Sequence, residues 1–179
     1  MLVAKLKRKE NIAEYILYLY QVEDLIRAFR YNMDLIEKQL VSSYRADERI
    51  SGEIADWYRN LVLMMEKERI EEKGHLQFLL NLINELNEFH LKLMEIKVDA
   101  IYVNTFQAVA GLVSELRQKN KSAGNDIQMS LDAIYGYLML KLQQKAISDE
   151  TTDAVRRLSQ WLSALSKLYK DFEAGDLEI

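Results

Sequence analysis

Residues 12–40, IAEYILYLYQVEDLIRAFRYNMDLIEKQL, carry an apolar row at alternating spacings of three and four: Ile12, Tyr15, Leu19, Val22, Ile26, Phe29, Met33, Ile36 and Leu40. That period places all nine side chains along one seam of an α-helix and fits no β-strand, where the period is two. Asn11 precedes the row and has the side-chain oxygen to accept from the free amides of a first turn. The spacing predicts one continuous helix from Asn11 to about Val41. Thirty residues at helical rise make a rod of about 45 Å, long against the radius of about 16 Å of a compact chain this size. The expected body is therefore elongated along this rod.

The same period continues outward from it. Ile50, Ile54, Trp57, Leu61 and Met64, flanked by Tyr58 and Met65, predict a second helix that ends by Gly74, a residue suited to a left-handed terminus. Leu79, Leu82, Leu86, Phe89, Leu93 and Ile96 predict a third from about His75. Tyr102, Phe106, Val109, Val113 and Leu116 predict a fourth, capped by Asp99 or Asn104, with the small Ala110-Gly111 pair open to close approach by a neighbour. A polar loop over Gln118–Asn125 then leads to a buried row of Ile127, Leu131, Ile134, Leu138 and Leu142, with Gly136 read as a tight crossing. Ser148 caps a sixth helix with Val155, Leu158, Leu162, Leu165, Tyr169 and Phe172 inward. No proline occurs and only six glycines do. The reading is all-α, an elongated antiparallel bundle of about six helices forming a single domain over residues 1–179.

Composition narrows the function classes. The 24 basic and 28 acidic residues give a net charge of −4, so a polyanion partner meets an opposing field, and nucleic acid is disfavoured. The basic cluster Lys5, Lys7, Arg8 and Lys9 reads as solvated, with nucleic-acid association through it the weakest of three functional readings. With no cysteine there is no disulfide or thiolate site, and cytoplasm is the simplest compartment. The order of charged and apolar residues at the start does not suit an export signal, and the apolar runs are too short to cross a bilayer.

Chemistry has few places to reside. A dimetal bundle needs two Glu-x-x-His motifs. His90 has Asn87 three positions before it, and His75 has Glu72 there with Gly74 intervening at a helix boundary, so neither a metal nor a cofactor is expected. Gly-x-Ser-x-Gly and phosphate-cradling glycine motifs are missing, since the glycines are scattered singly. His90 reads as a boundary histidine with one nitrogen bonded, and His75 and Gln77 as groups at a helix end. Polar groups set beside apolar rows make Glu23, Arg27, Tyr58, His75, Gln77 and His90 the candidate ligand-binding residues, with no catalytic residue assigned. Tyr15, Tyr18, Tyr20 and Tyr31 around one helix form a possible contact surface for a homodimer or another protein.

The segments Asn11–Tyr15, Gln21–Arg27, Gly74–Gln77 and Ala133–Gly136 resemble a family of uncharacterised helical proteins from Bacteroidetes, classed as a domain of unknown function. The resemblance covers nearly the whole chain. It implies a bacterial cytoplasmic protein, carries no established activity, and directs attention to Glu23, Arg27, His75 and Gln77. The leading expectation is a structural or regulatory protein-interaction module. The alternative is a small-molecule-binding or enzymatic bundle with a polar pocket between the first and third helices, using Arg27 and one histidine.

Overall fold

The computed structural model describes residues 2–97, 99–119 and 124–179. It is all-helical: α1 (Leu2–Glu10), α2 (Ile12–Ala28), α3 (Met33–Gln39), α4 (Glu48–Lys67), α5 (Gln77–Ile96), α6 (Ala100–Gln107), α7 (Ala110–Lys119), α8 (Asp126–Leu142) and α9 (Asp149–Glu173), with a 3-10 turn at Val41–Tyr44 between α3 and α4. Among the described residues there are thus nine α-helices and no strand, where about six helices are predicted.

The predicted 30-residue rod is the first correction. Asn11 does cap α2, accepting from the Glu14 amide, but residues 2–10 before it are also helical. The rod also breaks after Ala28, where Arg30 and Tyr31 turn left-handed and Asn32 caps α3 by accepting from the Leu35 amide. Amides of Arg30 and Tyr31 satisfy the carbonyls of Arg27 and Ile26, so the break orphans little backbone. The apolar row survives it: Ile12, Leu19, Val22, Ile26 and Ile36 are buried, and Tyr15, Phe29, Met33 and Leu40 pack against the same core.

Other boundaries shift for local reasons. α4 stops at Lys67 rather than near Gly74: Arg69 takes the left-handed terminal conformation, and Ile70 beyond it still packs against the core. The predicted fourth helix is two, α6 and α7, parted at Ala108–Val109, and Asp99 rather than Asn104 caps the first by accepting from the Tyr102 amide. Asn125 and Ser148 cap α8 and α9. The predicted loop at Gln118–Asn125 falls largely on residues 120–123, outside the described residues. Gly111 and Gly136 mark no close crossing, since a Cβ at either would meet open space.

The core is built around α9, the longest helix, which packs against α1, α2, α5, α6 and α8. Its row Val155, Leu158, Trp161, Leu162, Leu165 and Tyr169 joins Ile16, Ile26, Leu79, Ile83, Leu86, Ile127 and Leu131 in one hydrophobic cluster. α3 and the 3-10 turn pack on α4 at its edge.

Candidate functional site

Glu23 lies in the buried seam of α2 and is 1% exposed. A carboxylate taken out of water costs several kcal/mol unless hydrogen bonds replace the lost solvation. Here both oxygens are used. Oε1 accepts from the Leu76 amide at 2.9 Å, and Oε2 lies 2.6 Å from His75 Nδ1. Leu76 is the residue before α5 and has no side-chain cap of its own, so Glu23 serves as a cap supplied from another helix. The His75 ring stacks flat on Tyr20, centroids 3.6 Å apart, and Tyr20 meets Tyr135 of α8 edge-on at 5.6 Å.

One turn further along α2, Arg27 directs Nε and Nη2 to the Ile70 carbonyl at 3.3 and 3.2 Å, Nη2 also to the Gly74 carbonyl, and Nη1 to Asp24 at 2.9 Å. The other Asp24 oxygen accepts from the Tyr135 hydroxyl at 2.6 Å, and Tyr31 donates to the Ile70 carbonyl at 3.4 Å. Gln77 closes the α4–α5 connection: its amide donates to Glu68 at 2.7 Å and its side chain to Asn81 at 2.9 Å. Asp132 of α8 stands beside this group. Burial raises its proton affinity, with nearby His75 and the Tyr20 hydroxyl acting the other way. That hydroxyl is itself buried, close enough to Asp132 to affect it but without the geometry of a hydrogen bond.

Four of the six candidate residues, Glu23, Arg27, His75 and Gln77, thus gather at the α4–α5 connection, joined by Tyr20, Asp24, Asp132 and Tyr135. The arrangement fastens residues 70–76 to α2, and the Arg27 donors and both Glu23 oxygens are engaged by protein atoms. Toward solvent the group presents Asp24 and Gln77, which are exposed, and the edge of His75, 23% exposed at its side chain. Sequence reasoning missed Asp132 and Tyr135, although a polar residue beside Leu131 with a tyrosine three positions later is the signal that was present.

Tyr58 and His90 stand elsewhere. Tyr58 is buried in α4, its hydroxyl beside that of Tyr44 and its ring edge-on to Trp57 at 5.0 Å. His90 is buried in α5 with Nδ1 2.6 Å from the Tyr102 hydroxyl, which also accepts from Trp161 Nε1 at 3.1 Å. The indole can only donate, while the Tyr102 hydroxyl can both donate and accept, so it partners Nδ1 in either tautomer of the imidazole. Phe106 and Trp161 wall the ring at 4.5 and 5.2 Å, and this burial lowers the His90 pKa to about 4. The tyrosine surface is also corrected: Tyr20 is fully buried and Tyr15, Tyr18 and Tyr31 are half-buried, because neighbours cover this helix on several sides.

An uncovered surface lies on α8. Its apolar row starts inside the core, with Ile134 5% exposed, but Leu138 is 39% and Leu142 67% exposed, against the expectation that both are buried. Leu140 is exposed too, at 41%. A groove of about 670 Å³ runs alongside, between α2, α8 and α9, floored by Ala13, Leu17, Ile134, Val155 and Leu162 and bordered by Leu138. On the opposite flank, a second groove of about 540 Å³ includes Leu140, Gly136 and Leu112.

Among the described residues no group of three or more histidine, aspartate or glutamate side chains is placed to hold a metal ion, and no helix is long and apolar enough to cross a membrane. Residues 1–176 match a family described as a domain of unknown function, DUF4924. No curated protein and no solved structure matches the chain.

Proposed function

We propose that this chain, which belongs to the DUF4924 family, is a structural or regulatory protein-interaction module whose contact surface is the exposed end of α8. The exposed pair Leu138 and Leu142 carries the reading, because the apolar row of α8 continues for two turns beyond buried Ile134 while its exposure rises to 39% and 67%. The occupant we assign is a second copy of the chain. Ridge and groove lie side by side on one face, so a two-fold axis sets the α8 ridge of each copy into the α2–α8–α9 groove of the other, and the contact closes on itself.

We read the six helices of ten residues or more, α2, α4, α5, α7, α8 and α9, as the rods of an antiparallel bundle forming one domain, supported by the single hydrophobic cluster they share. A cytoplasmic setting in Bacteroidetes is supported by the segments quoted above. The polar group around Glu23 serves this reading by holding the α4–α5 connection to the body. Light scattering over a wide concentration series tests the proposal. A dimer that becomes a monomer in the Leu138→Asp/Leu142→Asp variant, with its helical content intact, is the expected result; a monomer at every concentration overturns it.

A further inference from the structure

A different surface carries chemistry that an interaction module does not require. α1 folds back beside the end of α9, and the two helices, with the first turn of α2 and one ring of α4, line an open surface cavity of about 470 Å³. Tyr15 and Trp57 supply its aromatic wall, and Lys5, Arg8, Lys9 and Lys170 surround it. The one carboxylate in the lining, Glu173, already takes two hydrogen bonds from Arg8 at 2.8 and 2.6 Å, a fork that clamps α1 to α9. Lys5, Lys9 and Lys170 form no ion pair with any described residue. Four cations against one anion leave this cavity positive in a chain whose net charge is −4.

Trp57 is held in place from behind, by Tyr18 at 6.5 Å between centroids and by Tyr58 edge-on at 5.0 Å. The Tyr15 hydroxyl has no hydrogen-bond partner among the described residues. Unpaired like charges around an apolar wall repel one another, and a bound anion relieves that repulsion while its body covers the aromatic surface. The volume suits a small organic ligand.

We infer that this cavity is a binding site for a small organic anion with a flat aromatic body, the ring lying against Trp57 and Tyr15 and a phosphate or carboxylate held by Lys5, Lys9 and Lys170. The experiment follows the two indole N–H resonances of the full chain by NMR. Adenosine monophosphate and naphthoate are the probes for the phosphate and carboxylate forms, and adenosine and inorganic phosphate are their parts. Saturable movement of the Trp57 signal is expected with at least one full probe while buried Trp161 stays still, with binding at least about tenfold tighter than to either part, since aromatic stacking adds that much. Lys9→Glu and Lys170→Glu, both at exposed positions, are each expected to weaken binding by about fivefold or more without lowering the thermal midpoint. The inference is overturned if neither probe moves Trp57, if a part binds as well as the whole, or if the charge reversals leave affinity unchanged. A single-stranded oligonucleotide that displaces the probe with steep salt dependence overturns it as well, in favour of a polyanion groove.

Discussion

Acidification through the histidine range is expected to remove about 3 kcal/mol of stability at His90 alone. Folding lowers the pKa of this imidazole from 6.5 to about 4, because the ring is walled by Phe106, Tyr102 and Trp161. Between those two values the unfolded chain binds a proton that the folded chain does not, so stability falls as pH falls, and below about 4 the slope vanishes because both states are protonated. At 1.36 kcal/mol per pKa unit, the loss relative to neutral pH is about 2 kcal/mol by pH 5 and about 3 kcal/mol by pH 4. The structural cause is specific. A charged imidazolium would sit among Phe106, Trp161 and Tyr102 with little water to solvate it. Urea midpoints measured along a pH series, for the wild type and for His90→Asn, isolate the effect. Asparagine keeps a polar atom near the position of Nδ1 and does not titrate, so subtracting its curve removes the carboxylates, including Asp132, whose raised proton affinity acts in the opposite direction. Parallel curves for the two proteins would refute the reasoning.

Glu23→Gln should lower stability by about 1 to 3 kcal/mol in urea titrations, because an amide cannot accept from both the Leu76 amide and His75 as the carboxylate does. Arg27→Lys replaces a fork that spans the Ile70 and Gly74 carbonyls by a point charge, so hydrogen exchange in residues 70–76 should accelerate while exchange in α9 stays slow. Ile134→Ala should cost about 2 to 5 kcal/mol, whereas Leu142→Ala on the same helix row should stay within about 0.5 kcal/mol of wild type at monomer concentrations. Equal losses at those two positions would contradict the uncovered end of α8.

Helical periodicity was legible because it needs only nearest turns. Every residue of the Ile12–Leu40 row faces or flanks the core, and Asn11 and Ser148 cap the helices they were expected to cap. The break at residues 29–32 was not legible, since Arg30 and Tyr31 are ordinary helix residues and carry no glycine or proline signal. What holds that corner is tertiary: Arg27 and Tyr31 bind the Ile70 carbonyl, 43 and 39 residues away in sequence. Glu23, Arg27 and His75 were singled out by type and neighbourhood, yet their mutual contacts depend on where the α4–α5 connection crosses α2. Leu138 and Leu142 show the converse limit. Period alone places a residue on a face, but whether another helix reaches that face depends on element lengths that no local pattern records.

The corner at residues 29–32 also fixes how long the chain there must be. It hands one seam from α2 to α3 in phase, so that Ile26 and Ile36 both end fully buried. Adding or deleting a single residue would rotate everything downstream by about 100° around the helix axis. A deletion would bring Asp34 and Glu37 into the positions of Met33 and Ile36, and an insertion would bring Asn32 and Leu35 there. This short surface bend, which looks replaceable, is therefore the vernier of the N-terminal half, and length polymorphism among relatives should be excluded from it.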